Sequence, residues 1–391
     1  MNTIFLSFIK LNSYSGQSGA TLQIERLLRN SKYKFKYLYL FPLDRSDDNK
    51  FFGIINWIFR TVLYSFQILQ LFFAYKPILY INLGQSLSSF FRVLWWFFPL
   101  KFLRPNIKVV VSLHGNSFLS WDLNSKEILW FKRILRKSDI VTVLSERHIK
   151  FLENLHIKKH VDIRIVNNTN DNSGITKDKL VQKNIVNKSK WNILFLSLLI
   201  ETKGYIEYLE AMKKLAELQL EIEISAILCG PINISRYCQK FNNHESAQFW
   251  IEKMISEINR VNPNYFSIEW IDGAYGEQKD QLFANADIFV FPTRYPNESM
   301  PLVLLEAMSS GCAIISSNVG EIDRIINDET AIVTEILDSD AIVQHCVNLF
   351  NNHQLRVKLV ENSYIKVNQQ FSSEAYKNNW IQIFDDLIKS A

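Results

Sequence analysis

Two glutamates at a fixed spacing are the residues of this chain whose chemistry is easiest to interpret. Glu298 and Glu306 lie in the segment NESMPLVLLEAMSSGC, with seven residues between them. An apolar run ending at Pro292 predicts a strand. Pro301 suits the first position of a following helix, because proline has no N–H to leave unpaired there, and Gly311 suits its end. A helix start attracts anions such as a diphosphate, and carboxylates beside it would accept hydrogen bonds from sugar or ribose hydroxyls.

The same spacing also allows a purely structural role for both glutamates. Glu298 would then cap the helix, and Glu306 would lie solvated on an exposed face. In the functional interpretation, the N–H groups of Leu302 and Val303 meet a diphosphate, with Ser299 in the preceding loop. Spacing alone does not choose between the two.

Alternating strands and helices must position these residues. Longer periodic segments separate short apolar runs, which indicates α/β architecture with buried parallel strands. The predicted strands are Ile4–Ile9, Ile78–Leu83, Lys108–Leu113, Ile140–Leu144, Asn192–Leu198, Ile222–Leu228, Ile288–Pro292 and Ala313–Ser316. In such sheets ligands bind at the carboxyl ends of the strands.

The chain length of 391 residues suits two domains. The polar stretch 171–190 contains no aromatic residue and is the predicted linker. We therefore expect an N-terminal domain over residues 1–170 and a C-terminal domain over 191–370. A last helix over 371–391 is expected to pack back on the N-terminal domain.

Several segments together resemble one enzyme family. Glu298, seven residues, Glu306 and the following AMSSGCAIISSNVGEIDRII look like the E-x7-E signature of retaining glycosyltransferases of family 4. GEQKDQLFANADIFVFPT, LFLSLLIETKGYIEYLEAM, VVSLHGNSF, SDIVTVLSERHIKFLENL and SGQSGATLQIERLL resemble further segments, in the family's order. The resemblance implies the GT-B fold, two Rossmann-like domains with parallel sheets facing a central cleft. It also implies that Glu298 contacts the donor sugar and Glu306 the nucleotide ribose.

Lys203-Gly204 follows the first strand of the C-terminal domain, and a lysine there suits a diphosphate. A solvated lysine in a turn is the structural alternative. The family's commoner pattern has Gly-Arg-Leu at residues 197–199, whereas this chain has Leu198 at the arginine position. Because leucine cannot bind phosphate, Lys203 and the helix start would carry more of that task.

Other candidate residues follow strands in the same way. Gly16 and Gly19 lie in a loop that opens a helix, where glycines let the backbone approach a phosphate or sugar. The loop is not G-x-G-x-x-G, so no dinucleotide cofactor is expected. His114 ends a strand, and the resemblance places it opposite the transferred sugar. Gly230, before a proline, could face the nucleotide base or form an ordinary turn.

The sequence predicts no metal site and no cofactor other than the nucleotide-sugar co-substrate. Asp338-Ser339-Asp340 matches the D-x-D spelling of metal-dependent glycosyltransferases, but Ser339 or Asp340 suits a helix N-cap. The four cysteines form no C-x-x-C pair and are expected to be reduced and buried.

The charge distribution indicates contact with a membrane surface. The net charge is only +5, and no nucleic-acid partner is predicted, yet no Asp or Glu occurs between Asn49 and Trp121. Seven Lys and Arg and many aromatic residues occupy that stretch. Within that stretch, the aromatic segment 51–75 has Arg60 near its centre, which argues against a spanning helix, and a buried core helix remains the alternative. The N-terminus lacks a basic n-region, so we expect a cytoplasmic protein, peripheral at the inner face of the membrane and bound to anionic lipid.

These features lead to one predicted function with three alternatives. We expect a retaining glycosyltransferase that moves a sugar from a nucleotide-sugar donor to a glycan, a lipid-linked one, in bacterial-type surface polysaccharide synthesis. The enzyme alternatives on the same fold are a nucleotide-sugar epimerase and a sugar phosphorylase, although the sequence has no motif for the pyridoxal phosphate that a phosphorylase needs. The remaining alternative is a non-catalytic, membrane-peripheral scaffold.

Overall fold

The computed structural model of the protein describes residues 3–9, 16–40, 66–170, 174–183, 188–335 and 338–390. The chain forms two compact units. The first consists of Met1–Thr169 together with Ser373–Ala391, and the second of Asn170–Ser372.

The first unit is built on a parallel sheet, which has six strands in the described residues. Its order is β2-β1-β3-β4-β5-β6. The strands are β1 (Thr3–Ile9), β2 (Lys34–Leu40), β3 (Ile78–Asn82), β4 (Lys108–Ser112), β5 (Ile140–Val143) and β6 (Asp162–Ile165). The helices are α1 (Gly16–Arg29), α2 (66–73), α3 (Leu87–Leu103), α4 (Lys126–Leu135), α5 (Glu146–Asn154) and, from the end of the chain, α13 (Ser373–Lys389), with a 3₁₀ turn at Ser117–Ser120.

The second unit has a parallel sheet of its own, again with six strands in the described residues. Its order is β12-β11-β10-β7-β8-β9. The strands are β7 (Lys190–Leu196), β8 (Glu223–Cys229), β9 (Phe266–Ile271), β10 (Ile288–Phe291), β11 (Ala313–Ser317) and β12 (Ile332–Thr334). The helices are α6 (Lys177–Lys183), α7 (Tyr205–Glu217), α8 (His244–Val261), α9 (Glu277–Asn285), α10 (Leu302–Ser309), α11 (Ser339–Asn351) and α12 (His353–Gln370), with 3₁₀ turns at Glu201–Lys203 and Ile322–Arg324.

Each sheet has an apolar core between its strands and its helices, as the α/β prediction requires. The interior strands β3, β5 and β10 are buried almost throughout, which is the pattern of parallel strands covered on both faces. β2, β6, β9 and β12 were not predicted, and each is an edge strand of its sheet.

The C-terminal helix α13 belongs to the first unit. Trp380 is fully buried and lies edge-on to the ring of Tyr80 in β3, with 5.5 Å between the ring centroids. Arg164 at the sheet edge pairs with Asp386 at 2.7 Å. Apolar contact and surface ion pairing therefore both hold the end of the chain on this unit.

The stretch predicted as a linker contains structure that belongs to the second unit. Within it, Ile175 and Leu180 are buried in that unit's core. Lys183 donates a 2.7 Å hydrogen bond to the carbonyl of Ser310, just past the end of α10. Residues 171–173 and 184–187 of this stretch lie outside the described residues.

Across the described parts of the chain, no helix combines the length and apolar character needed to cross a bilayer.

Candidate active site

Three neighbouring strands of the second unit bring the candidate residues to one edge of its sheet. β10 pairs with β7, and β7 pairs with β8, all in parallel. Their carboxyl ends therefore share an edge. Lys203 follows β7, Gly230 follows β8 and Glu298 follows β10.

Lys203 and Glu298 form an ion pair that is largely shielded from solvent. The Lys203 ammonium contacts Oε2 of Glu298, and the two side chains are 14% and 7% exposed. Thr293 donates a hydrogen bond of 3.2 Å to the same carboxylate oxygen. The ammonium also lies 4.7 Å from the ring centroid of Tyr295, within the range of a cation–π contact. Removing either charge would leave the other one buried without its partner.

Glu306 is buried on α10 and paired with a lysine. Its side chain is 5% exposed, and Oε1 contacts the ammonium of Lys279 in the first turn of α9. A solvated position on an exposed helix face is therefore wrong for Glu306. Glu298 is not the N-cap residue of α10, because Pro301 occupies that position. Both carboxylates are held inside the protein, and each is paired with a lysine ammonium.

The start of α10 lies directly after the Glu298 loop. The helix begins at Leu302, one residue later than predicted, because Pro301 has an extended ψ of 120°. An α-helix leaves its first N–H groups without intrahelical partners, and here these belong to Leu302 and Val303. Ser299, between the carboxylate and the helix, is buried.

Close backbone approach requires glycine at three positions of this edge, Gly204, Gly230 and Gly320. Gly230 has φ +146°, and a Cβ there would lie 1.7 Å from the Ser197 carbonyl oxygen. Its place is therefore explained by packing of the loops after β7 and β8. Gly320 has φ +68°, and a Cβ there would lie 2.0 Å from the carbonyl oxygen of Glu298. Gly320 thus supports the backbone of the candidate sugar-binding residue.

Replacing Gly320 by alanine is expected to lower the free energy of unfolding by about 2 kcal/mol or more and to reduce turnover. The positive φ and the clash both act, and the Glu298 backbone must move. Gly276→Ala is the matched control, because Gly276 has φ +55° but nothing within 4 Å of the added Cβ. Urea denaturation of both variants separates the clash from the backbone strain; equal losses would contradict the contact.

The remaining candidates lie in the first unit. His114 follows β4, with Nε2 2.8 Å from the hydroxyl oxygen of Ser112. Burial lowers the pKa of its imidazole to about 4, although a hydrogen bond with Asn168 opposes the shift. The ring is therefore neutral at physiological pH. Gly16 is the first residue of α1 and Gly19 lies in its first turn, while residues 10–15 before them lie outside the described part of the chain.

Asp338 and Asp340 have structural partners. Asp338 is the N-cap of α11, in place of the predicted Ser339 or Asp340, and accepts a 2.8 Å hydrogen bond from the backbone N–H of Ala341. Asp340 pairs with Lys214 at 2.6 Å. Within the described ranges, no cluster of His, Cys, Asp and Glu could hold a metal ion.

Sequence reasoning missed several residues that build this edge. Glu201 is a buried carboxylate that accepts hydrogen bonds from the backbone N–H groups of Gln239 at 2.6 Å and Phe241 at 2.7 Å. It fixes the loop after β8 to the turn that carries Lys203. Lys279 on α9 pairs with Glu306 on α10, although the two residues are far apart in the sequence. The signal for Glu201 was its position two residues before Lys203, but its partners are backbone groups that no sequence pattern marks.

Comparisons with known proteins identify the class of the second unit. Residues 176–366 match the family described as Glycosyl transferases group 1. That part of the chain is therefore similar to glycosyltransferase group 1 domains, and it contains Lys203, Gly230, Glu298 and Glu306.

Curated relatives are similar over much of the chain at low identity. An uncharacterized 41.2 kDa protein of the cps region of Klebsiella pneumoniae is 25% identical over 315 residues, 74% of this chain and 78% of that protein. N-acetyl-alpha-D-glucosaminyl L-malate synthase of Bacillus anthracis is 23% identical over 291 residues, 72% of this chain and 69% of that protein. The capsular polysaccharide biosynthesis glycosyltransferase CapM of Staphylococcus aureus is 28% identical over 131 residues, 33% of each chain.

Solved structures are similar to this chain over the residues of both units. Sucrose-phosphate synthase of Thermosynechococcus elongatus aligns with a TM-score of 0.68 and 16% identity over 100% of both chains. Anabaena HepE in complex with UDP and glucose aligns with a TM-score of 0.66 and 13% identity, over 99% of this chain and 100% of that one. These matches establish the fold: the two parallel sheets are those of a GT-B protein.

Proposed function

We propose that the protein is a retaining glycosyltransferase that uses a nucleotide-sugar donor. One observation carries the proposal: parallel strands bring Lys203, Glu298 and the start of α10 to one sheet edge, with Glu306 buried on the same helix. A diphosphate fits the helix start and Lys203, a ribose fits Glu306, and a sugar fits Glu298. HepE, a protein of the same fold, binds UDP, which supports this class of donor.

The proposed reaction breaks the bond between the sugar C1 and the diphosphate oxygen. The acceptor hydroxyl oxygen then bonds to C1 on the face that the diphosphate leaves, and its proton passes to a donor phosphate oxygen. No enzymic nucleophile is required for this route. The main task of the site is to stabilise charge on the departing diphosphate, by the N–H groups of Leu302 and Val303 and by Lys203. We assign His114, as a neutral imidazole, and the backbone at Gly16 and Gly19 to the sugar and acceptor side.

A thermal-shift screen against UDP-, GDP- and dTDP-sugars tests the donor class. A ligand that binds only the native state raises the melting temperature by mass action. We expect the sugars of one base to raise the melting temperature and those of the others to leave it unchanged. A flat response to all three would contradict the proposal. Product analysis then separates transfer from epimerisation. Wild-type protein that turns over none of the donors would favour the non-catalytic scaffold.

Turnover is expected to survive chelation by EDTA. The positive groups assigned to the diphosphate are Lys203 and a helix start. Of the D-x-D aspartates, Asp338 accepts a hydrogen bond from Ala341 and Asp340 pairs with Lys214. Steady-state rates before and after EDTA measure this. A loss that Mg²⁺ or Mn²⁺ restores would show that a cation serves the leaving group.

We further propose that the first unit docks on an anionic membrane that carries a lipid-linked acceptor. α3 buries one face in the core and leaves aromatic residues on another: Phe91 is 56%, Trp95 44% and Phe102 84% exposed. Their spacing places them on one side of the helix, with the partly buried Phe98 between them. Such an aromatic face suits the interface of a bilayer.

The sequence predicted that the basic residues between Asn49 and Trp121 would support this docking, but two of them have partners inside the unit. Arg104 donates to the carbonyl oxygens of α2 and the residues after it, and Lys101 donates to the carbonyl of Ile107 at 2.7 Å. Both are therefore used inside the unit. Arg136 and Lys137 are exposed instead, and they line a groove of about 520 Å³ together with Phe98 and Phe102. This groove joins positive charge to the aromatic face.

Replacing Arg136 and Lys137 together by glutamate is expected to weaken binding to anionic liposomes by roughly 30-fold or more, at about 1 kcal/mol per basic residue. Replacing Trp95 and Phe102 by serine should remove the part of binding that high salt does not release. Liposome sedimentation measures both effects, with Lys253→Glu and Arg260→Glu on α8 as the control. Wild-type protein that ignores anionic liposomes at low salt would contradict the docking.

A further inference from the structure

Three basic residues at the sheet edge of the second unit are already paired with carboxylates. Lys203 contacts Glu298 and Lys279 contacts Glu306. Arg294, after β10, contacts Glu207 on α7. Each pair has no net charge, Leu198 at the same edge is apolar, and a helix start contributes only about half an elementary charge. Taken alone, these groups offer a donor diphosphate little net positive charge.

Arg236 is a basic residue at this edge that differs from the others. It lies on the loop after β8 and is exposed. Among the described residues it forms no ion pair. Its Nη2 donates a 2.6 Å hydrogen bond to the hydroxyl of Tyr237, and its guanidinium lies 4.8 Å from the Tyr237 ring centroid. A guanidinium has five N–H donors in a planar fork, so most of its capacity remains for a ligand.

The loop that carries Arg236 is attached to the candidate site from two sides. Tyr237 also accepts a 2.7 Å hydrogen bond from Asn297 Nδ2, the neighbour of Glu298. Its ring lies edge-on to Tyr295 at 5.3 Å, and Tyr295 contacts the Lys203 ammonium. On the other side, Glu201 holds the backbone of residues 239–241. Arg236 is thus two hydrogen bonds from the loop assigned to the sugar.

We propose that Arg236 binds the distal phosphate of the donor and makes the site selective for diphosphates over monophosphates. This inference rests on the proposed function. The distal phosphate is the one bonded to the sugar, and Arg236 is linked to the sugar loop through Tyr237 and Asn297, whereas the ribose is assigned to Glu306. Arginine binds phosphate through paired N–H groups, a geometry that lysine cannot reproduce.

Calorimetric titration with the nucleoside monophosphate and diphosphate of the preferred base tests this proposal. Wild type is expected to bind the diphosphate more tightly. Arg236→Gln should weaken diphosphate binding by roughly 10- to 100-fold and leave monophosphate binding within about twofold. Arg236→Lys should give an intermediate loss. Arg260→Gln, an exposed arginine at the end of α8, is the matched control and should bind like wild type.

The outcomes separate this inference from the function on which it rests. Wild-type diphosphate affinity in Arg236→Gln, or equal losses for both ligands, overturns the role of Arg236 and leaves the proposed function standing. Wild-type protein that binds no nucleotide overturns both. Because Arg236 is exposed, the variant is expected to keep the ligand-free melting temperature of wild type, which confirms that it is folded.

Discussion

Replacing Lys203 by methionine is expected to reduce turnover by roughly 100-fold or more and to lower the free energy of unfolding by about 3 kcal/mol. The first effect follows from loss of positive charge at the departing diphosphate. The second follows because the carboxyl group of Glu298 would lose its charge partner inside the protein. Steady-state kinetics and urea denaturation measure the two effects separately.

The double variant Lys203→Met, Glu298→Gln separates stability from catalysis. Removing both charges is expected to restore part of the lost stability, because no uncompensated charge remains buried, with a coupling of about 1 to 3 kcal/mol. Turnover should stay low, since neither the diphosphate nor the sugar recovers its partner. Strictly additive losses of stability would show that the pair contributes nothing as a pair.

Replacing Glu306 by alanine is expected to weaken binding of the nucleoside diphosphate and of the sugar nucleotide alike, by roughly 10- to 100-fold. The carboxylate is buried at the helix that begins the anion site, so ribose hydroxyls are the part of the donor that we assign to it. Calorimetry with both ligands measures the loss.

Lys279→Met is the control for this variant. It removes the partner of Glu306 but keeps the carboxylate, so nucleotide affinity should be largely retained. Ligand-free melting temperatures show whether each variant is folded. A folded Glu306→Ala protein with wild-type affinity for the diphosphate would contradict the ribose assignment.

The interior strands of both sheets were predicted from the sequence, and the edge strands were not. The eight predicted strands correspond to β1, β3, β4, β5, β7, β8, β10 and β11, the interior strands of the two sheets. Interior parallel strands are covered on both faces and read as continuous apolar runs. β9 alternates between buried and exposed residues, and β6 and β12 have no fully buried residue. Edge strands therefore lack the continuous apolar run from which the interior strands were predicted.

The candidate site could be predicted in part for a similar reason. Glu298 and Glu306 are local to one strand–loop–helix segment, so their spacing and the proline between them indicate a position. Partners such as Lys279 and the backbone bound by Glu201 come from other elements, and only the folded sheet brings them together. The pairing of Lys203 with Glu298 was not foreseen, because sequence assigned each of them to a ligand and not to the other.

Time-resolved proton NMR of a bound sugar nucleotide tests the central claim most directly. With wild-type protein in excess and water as the acceptor, we expect release of the nucleoside diphosphate and first appearance of the free sugar in the same anomeric configuration as in the donor. Lys203→Met should slow this release by roughly 100-fold or more. A sugar nucleotide that raises the melting temperature but remains uncleaved, or that releases the inverted anomer first, would contradict retaining glycosyl transfer by this protein.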